Sequence, residues 1–368
     1  MADIRHQKLA QVLINYSLKI QPGDKLLVTG SDVATPLLRE VYREALRAGA
    51  HEVKISVTLP GISEILLHEG NNEQLTYVSE YDKFLVEHFD AVLSVWSDQN
   101  TRSMGKIDPK RIAKRREAHS ALFKRDLELM SSGAKRWCGT LFPTHAYAQD
   151  AGMSLSDYED FVFGSGLLDQ EDPIAAWRKV SAEQQRVADF LTQHDEIHIV
   201  APSTDITYRV GGRNWINCAG TENFPDGEIF SCPIEDSVNG FVTFSYPAIY
   251  DGNEVENVRL TFRDGKVIES SADRGLDFLN SMLDTDAGAR YLGEVAFGLN
   301  YNIKEFVKET LFDEKIGGTM HMALGASLPE GGGVNESGIH WDMVCDLREG
   351  KVFADGQLCY EQGKFIIE

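Results

Sequence analysis

HMALGASLPEGGGVNESGIHWD, residues 321–342, is the stretch from which the rest of the chain is read. It opens on His321 and closes on Asp342, both good metal-binding side chains, and its glycine-rich centre has neither a helix nor a strand period. A segment of that kind crosses a pocket as a loop. At its C-terminal end His340-Trp341-Asp342 lies in an apolar frame, Ile339 before it and Met343 and Val344 after it, as a buried strand would. Residues two apart on a strand face the same way, so imidazole and carboxylate emerge side by side, a pair suited to a divalent cation. Taken alone, an HxD is most simply a structural hydrogen bond. His321, framed by Met320, Met322, Ala323 and Leu324, shifts that balance. A second imidazole in an apolar run must find partners or cost free energy, and a metal accounts for both histidines at once.

Outward from this stretch, the C-terminal half reads as strands and turns. Asp205–Val210, Glu228–Cys232, Asn239–Tyr246, Val258–Phe262 and Lys266–Ser270 have strand character, and Asp264-Gly265 marks a hairpin between the last two. Lys351–Ala354 and Gln357–Tyr360 form another pair around Asp355-Gly356. The expected second domain, residues 201–368, is therefore mainly antiparallel α+β and binds metal, with a helix-rich insert at Asp273–Leu311. Two glutamates stand out in it, Glu228 in NFPDGEIFSCP and Glu294 in LGEVAF. A carboxylate in an apolar run is costly unless it is paired or metal-bound. With His321, His340 and Asp342 they make three carboxylates and two imidazoles, enough for two divalent ions that share a bridging carboxylate.

Residues 1–200 alternate differently. Strand-like runs at Lys25–Thr29, Glu52–Val57, Ala91–Val95, Arg136–Leu141 and Glu196–Val200 are separated by helix-period stretches at 3–18, 34–48, 73–88, 109–131 and 173–193. That order predicts a parallel sheet wrapped by helices, so the fold class is α/β, an N-terminal parallel-sheet domain followed by the antiparallel one. TGSDVATP after the first strand lacks GxGxxG, and there is no GxxxxGK[ST], so neither a dinucleotide nor a P-loop site is expected. Pro143–Gly166 reads as a long unpatterned link. The remaining histidines, His145 among them, are expected to be structural or solvated.

The formal charge of −21, from 36 basic and 57 acidic residues, disfavours phosphate backbones and anionic membranes, so neither nucleic acid nor membrane is an expected partner. The one basic cluster, KRIAKRREAH at 110–119, has the spacing of a solvated helix face. Five widely spaced cysteines without a CxxC argue for a reducing compartment and against a thiolate zinc site. No apolar run approaches membrane-span length, and the N-terminus reads as an amphipathic helix, so a cytoplasmic location is expected.

Several motifs in order, NFPDGEIF, LDTDAGARYLGEVAFG, TLFDEKIGGTMHMALG and NESGIHWDMVCDLR, with EDPIAAW at 171–177, resemble the M29 family of thermophilic-type metallo-aminopeptidases, the aminopeptidase T and S type. The resemblance implies two divalent ions, zinc, cobalt or manganese, on Glu228, Glu294, His321, His340 and Asp342. It also implies a homodimer that removes N-terminal residues from short peptides, with Glu228 or Glu294 as the catalytic proton carrier. One position departs from the family: seven residues after the first histidine, where the resemblance calls for a tyrosine that stabilises an oxyanion, this chain has Leu328. Ser327, Tyr246 or Tyr250 could stand in for it. Two alternatives follow: a mononuclear non-haem iron ring-opening dioxygenase on His321, His340 and Asp342, and a low-activity peptide-binding homologue limited by Leu328.

Overall fold

The computed structural model describes residues 3–367. The chain divides into two compact units, residues up to 174 with 220–224, and residues 175–219 with 225 onward.

The first unit holds a five-stranded parallel sheet. Its order is Glu52–Thr58, Lys25–Ser31, Ala91–Trp96, Arg136–Leu141 and Asn223–Phe224. Four of these are the strands expected from the apolar runs, and the register puts Leu26, Val28, Leu93, Val95 and Cys138 on one buried face, while the alternate positions of Ala91–Trp96 are less covered. The helix Thr35–Arg47 has Pro36 in its first turn and packs a stripe of Leu37, Leu38, Val41 and Ala45 inward. The stretch expected as one helix at 73–88 is two, Asn72–Thr76 and Glu80–His88. Asn71 and Ser79 each close a capping box, and the second box starts a new helix where a continuous one would need Ser79 inside it. Pro143–Gly166 is likewise not an unpatterned link: Thr144 and Ser154 cap the helices His145–Asp150 and Leu155–Ser165. The basic cluster lies on Pro109–Ser131, a helix with no fully buried residue, as a solvated face should.

One expected member of this sheet belongs elsewhere. Glu196–Ala201 pairs antiparallel with Thr204–Arg209 and with Lys351–Ala354. Only Pro202 and Ser203 separate the first two strands, and Ser203 takes the left-handed conformation with φ +59. A two-residue connection can only join antiparallel neighbours, because a parallel pair needs a crossover of a dozen residues or more. The long helix Pro173–Thr192 lies, from Ala175 onward, in the second unit with that strand.

The second unit is built from an eight-stranded and a five-stranded antiparallel sheet and a two-stranded hairpin, Ala248–Tyr250 with Asn253–Val255. The five-stranded sheet runs in the order His340–Asp346, Thr319–Gly325, Leu292–Gly298, Glu228–Ser231, Ile216–Cys218. The segment Asp273–Leu311, expected to be helix-rich, contains the helix Leu276–Leu283 but then the strand Leu292–Gly298, buried along its whole length. Side chains of both large sheets share one core: Ile197, Ile199, Ile206, Val242 and Leu260 from one, Ile229, Val295, Phe297, Met320 and Trp341 from the other.

Phe297 sits in that core against Trp215, Phe365 and Tyr360, with ring centroids 5.9, 5.2 and 6.1 Å away. Phe297→Ala is expected to cost about 3–5 kcal/mol in urea unfolding of the second unit, from lost transfer energy and the cavity left behind. A loss below about 1 kcal/mol would contradict this packing.

Candidate metal centre

Strand alternation and register put every expected site residue on one face of the five-stranded sheet. Glu228 pairs with Gly298, His321 with Ala296, and His340 with Gly325, while Ala323 lies between Glu294 on one side and Asp342 on the other. Cross-strand partners share a face, as do residues two apart. The alternate positions, Ile229, Val295, Phe297, Met320, Met322, Trp341 and Met343, point into the core. Glu294 reaches the site face through an irregularity: the register slips between Leu292 and Glu294, so Leu292 faces the core and Glu294 does not. Gly293 occupies the slip, and a Cβ there would stand 2.1 Å from the Ala326 carbonyl oxygen. A bulge that re-aims one side chain is a recurrent device beside active sites.

Small residues keep the face open. Ala296, Gly298 and Ala323 lie among the acidic and imidazole side chains, and a Cβ on Gly298 would come 2.2 Å from the Ile316 oxygen and 2.9 Å from that of Glu314. The turn before the His321 strand therefore lies directly on Gly298 and delivers Glu314 and Lys315 to the site, two residues that the sequence reading missed. Their signal was available: a charged pair set between Phe312 and Ile316 in a run that shows no helix period.

The polar contacts form one chain. Lys315 Nζ lies 2.6 Å from Glu314 Oε2 and 3.1 Å from Glu228 Oε1. Glu228 Oε2 is 3.3 Å from His321 Nε2, which is 3.5 Å from Glu294 Oε1. Glu294 Oε2 is 3.1 Å from His340 Nε2, itself 3.6 Å from Asp342 Oδ1. Glu228, Glu294, Glu314, Lys315 and His321 are all buried, and His340 and Asp342 are partly open. His340 Nδ1–H donates to the Ala326 carbonyl at 2.8 Å, which fixes the tautomer and leaves Nε2 turned toward the carboxylates.

Burial opposes charge at each of these groups, and the neighbours decide the outcome. Burial would lower both imidazoles, yet the hydrogen bond to Glu294 and the surrounding carboxylates raise His321 to about 9 and His340 to about 10. Burial would raise Glu294, and the same two imidazoles bring it to about 2. Asp342 rises to about 8 through burial and the charge of Glu314, and Glu228 is raised chiefly by burial. Such a field attracts cations, and a divalent ion would satisfy it with both imidazoles neutral.

The donors fit such an ion. Glu228 Oε2, His321 Nδ1 and Asp342 Oδ1 are buried without a hydrogen-bond partner. Oxygen and imidazole donors gather in two groups, Glu228 with Glu314 and His321, and Glu294 with His340 and Asp342, each with its ligand atoms within 4.8 Å of one another. Glu294 turns one oxygen to each histidine and so joins the two groups. The dioxygenase alternative is not supported: its three ligands would be His321, His340 and Asp342, and the two groups separate His321 from the other two.

The glycine-rich loop between the histidines is firmly tied. Asn335 Nδ2 donates to the carbonyls of Gly325 at 2.6 Å and Gly288 at 3.0 Å. Asp286 accepts the Gly338 N–H at 2.6 Å, and Glu235 accepts the Val334 N–H at 2.9 Å while pairing with Arg213 at 2.7 Å. Beside His340 and Asp342 opens a cavity of about 340 Å³, lined also by Tyr250, Asp251, Lys308 and Glu309.

Comparison with known proteins follows the same lines. The profile described as Thermophilic metalloprotease (M29) matches residues 2–365. Aminopeptidase 2 of Geobacillus stearothermophilus is 31% identical over 395 aligned positions, covering 95% of this chain and 94% of the relative. Aminopeptidase T of Thermus thermophilus is 26% identical, with 97% and 95% covered. The solved structure of wild-type AmpT from Thermus thermophilus superposes with a TM-score of 0.86 at 25% identity over 99% of both chains. No helix among the described residues is long and apolar enough to cross a membrane. With a matching profile along nearly its whole length and carboxylate and imidazole groups able to hold divalent metal, this chain belongs to the M29 family of metallopeptidases, enzymes that hydrolyse peptide bonds with metal assistance.

Proposed function

We propose that the chain is an aminopeptidase that removes the N-terminal residue of short peptides at a site holding two divalent ions. The observation that carries this reading is the pair of three-residue donor groups joined by Glu294. His321, Glu228 and Glu314 would hold one ion, His340, Asp342 and Glu294 the other, with zinc, cobalt or manganese as candidates. When bound, such ions supply a water of lowered pKa and polarise the scissile carbonyl. Glu228 or Glu294 would carry the proton to the leaving amine.

The cavity beside His340 and Asp342 is at the small end for a ligand pocket, which suits the end of a short peptide. Asp251, Glu309 and Asp342 line it, and carboxylates there would attract the free ammonium that distinguishes a peptide N-terminus. For the hydroxyl that Leu328 cannot provide, Tyr250 is our assignment. Of the three candidates, Tyr250 is the one that lines the cavity beside His340 and Asp342. A homodimer in the cytoplasm accords with the family resemblance and with five free cysteines, none of them exposed.

Leucyl peptides with a free N-terminus should release leucine, and N-acetylated ones should not. Chelation should abolish turnover, and His340→Ala should lower kcat/KM on the order of a hundredfold or more. An unchanged rate in that variant rules the reading out. Tyr250→Phe is expected to lower kcat on the order of a hundredfold with KM little changed, the loss of one oxyanion donor. If Tyr250 serves, Leu328→Tyr adds little. A large gain from Leu328→Tyr would instead identify a chain limited at that position.

A further inference from the structure

Lys315 is the one group at the centre that the proposed reaction does not use, and it touches only one of the two donor groups. It is 2% exposed, and its ammonium contacts Glu314 Oε2 at 2.6 Å and Glu228 Oε1 at 3.1 Å. Two of the three side chains in the Glu228–Glu314–His321 group thus already give one oxygen each to a cation that is part of the protein. The ammonium has little freedom to leave. The Lys315 N–H donates to the Phe312 carbonyl at 3.0 Å, its carbonyl accepts the Asn300 N–H at 2.9 Å, and the turn rests on Gly298.

The second group differs. Among the described residues, no lysine or arginine is ion-paired with Glu294 or Asp342, whose charged contacts are to His321 and His340. Lys308 lines the neighbouring cavity, but its ammonium pairs with Glu254 at 3.0 Å. The groups therefore offer an incoming ion different terms. At the first, the ion shares the Glu228 carboxylate with a fixed positive charge, in a buried setting where like charges repel strongly and salt screens little. At the second, it meets only carboxylates and imidazoles.

We propose that Lys315 makes the two sites unequal: the Glu294–His340–Asp342 group binds its ion tightly and fills first, and the Glu228–Glu314–His321 group is weak and exchangeable. This rests on the two-ion reading above. While the weak site is unfilled, Lys315 holds Glu228 and Glu314 together beside His321, which lessens the reorganisation needed on loading. Lys315 is thus a positioning residue for two ligands and a competitor of the ion they bind, and turnover follows the free metal concentration.

Titration of the metal-stripped full chain with Co²⁺, followed by calorimetry and visible absorbance, tests this. Wild type should show two steps whose Kd values differ by about tenfold or more. His340→Ala should lose the tight step and His321→Ala the weak one, an assignment independent of any change at Lys315. Lys315→Met should tighten the weak step by about tenfold or more, and Lys315→Arg, which keeps the charge, should preserve the gap. Two steps of equal affinity, the reverse loss in the histidine variants, or an unchanged gap in a folded Lys315→Met chain overturns the proposal while leaving the two-ion reading intact. A single ion per wild-type chain overturns both.

Discussion

Four carboxylates, those of Glu228, Glu294, Glu314 and Asp342, meet on one face of one sheet with a single ammonium, Lys315, among them. Desolvating a carboxylate costs several kcal/mol even after the surroundings relax. Three of the four are almost fully buried, so the fold tolerates a large electrostatic cost at this place. Part of it is offset within the chain, by protons on His321 and His340 and by Lys315. The rest is what gives the site its affinity for external cations, because a divalent ion removes repulsion that the folded chain otherwise carries.

The sheet is what can bear that cost. Donors held on adjacent antiparallel strands are spaced by the ladder, about 5 Å between neighbours, and cannot drift apart without breaking it. The reverse face of the same strands supplies the compensating stabilisation, since Phe297, Met320, Met322, Trp341 and Met343 alternate with the polar residues and bury completely. Each strand of the centre is thereby half core and half site. Two glycines allow this arrangement where regular alternation would forbid it: Gly293 takes the slip that turns Glu294 around, and Gly298 admits the backbone that carries Glu314 and Lys315.

What the sequence disclosed followed from periodicity and from charges in apolar surroundings. The parallel strands at 25, 52, 91 and 136, the alternation at His340-Trp341-Asp342, and the anomaly of Glu228, Glu294 and His321 within hydrophobic runs were all visible without coordinates. What escaped depended on partners distant in sequence. Whether Glu196–Ala201 joins a parallel or antiparallel sheet is decided by the two residues after it, and its apolar content fits either. Glu294 sits in a strand that composition alone cannot distinguish from a buried helix. Glu314 belongs to the centre because a turn packs on Gly298: its setting between Phe312 and Ile316 marks it as unusual, but not which strand the turn meets. The helices at 145 and 155 were hidden because short helices owe more to the caps at Thr144 and Ser154 than to an amphipathic stripe.

The likeness to AmpT, a TM-score of 0.86 at 25% identity, fits the same view of what the fold requires. Cores accept many hydrophobic exchanges if volume and pattern are kept, so most of the chain can vary without moving the strands. The polar face has no such latitude, because replacing one donor leaves its partners buried and unsatisfied. Its tolerance should be found where a side chain does not hold the cluster together, and Leu328 stands in the loop between the two histidines, outside the strands that carry the candidate donors. An uncharged exchange there leaves the charge balance of the cluster intact, and this separates the positions that a member of the fold can vary from the electrostatics that it must keep.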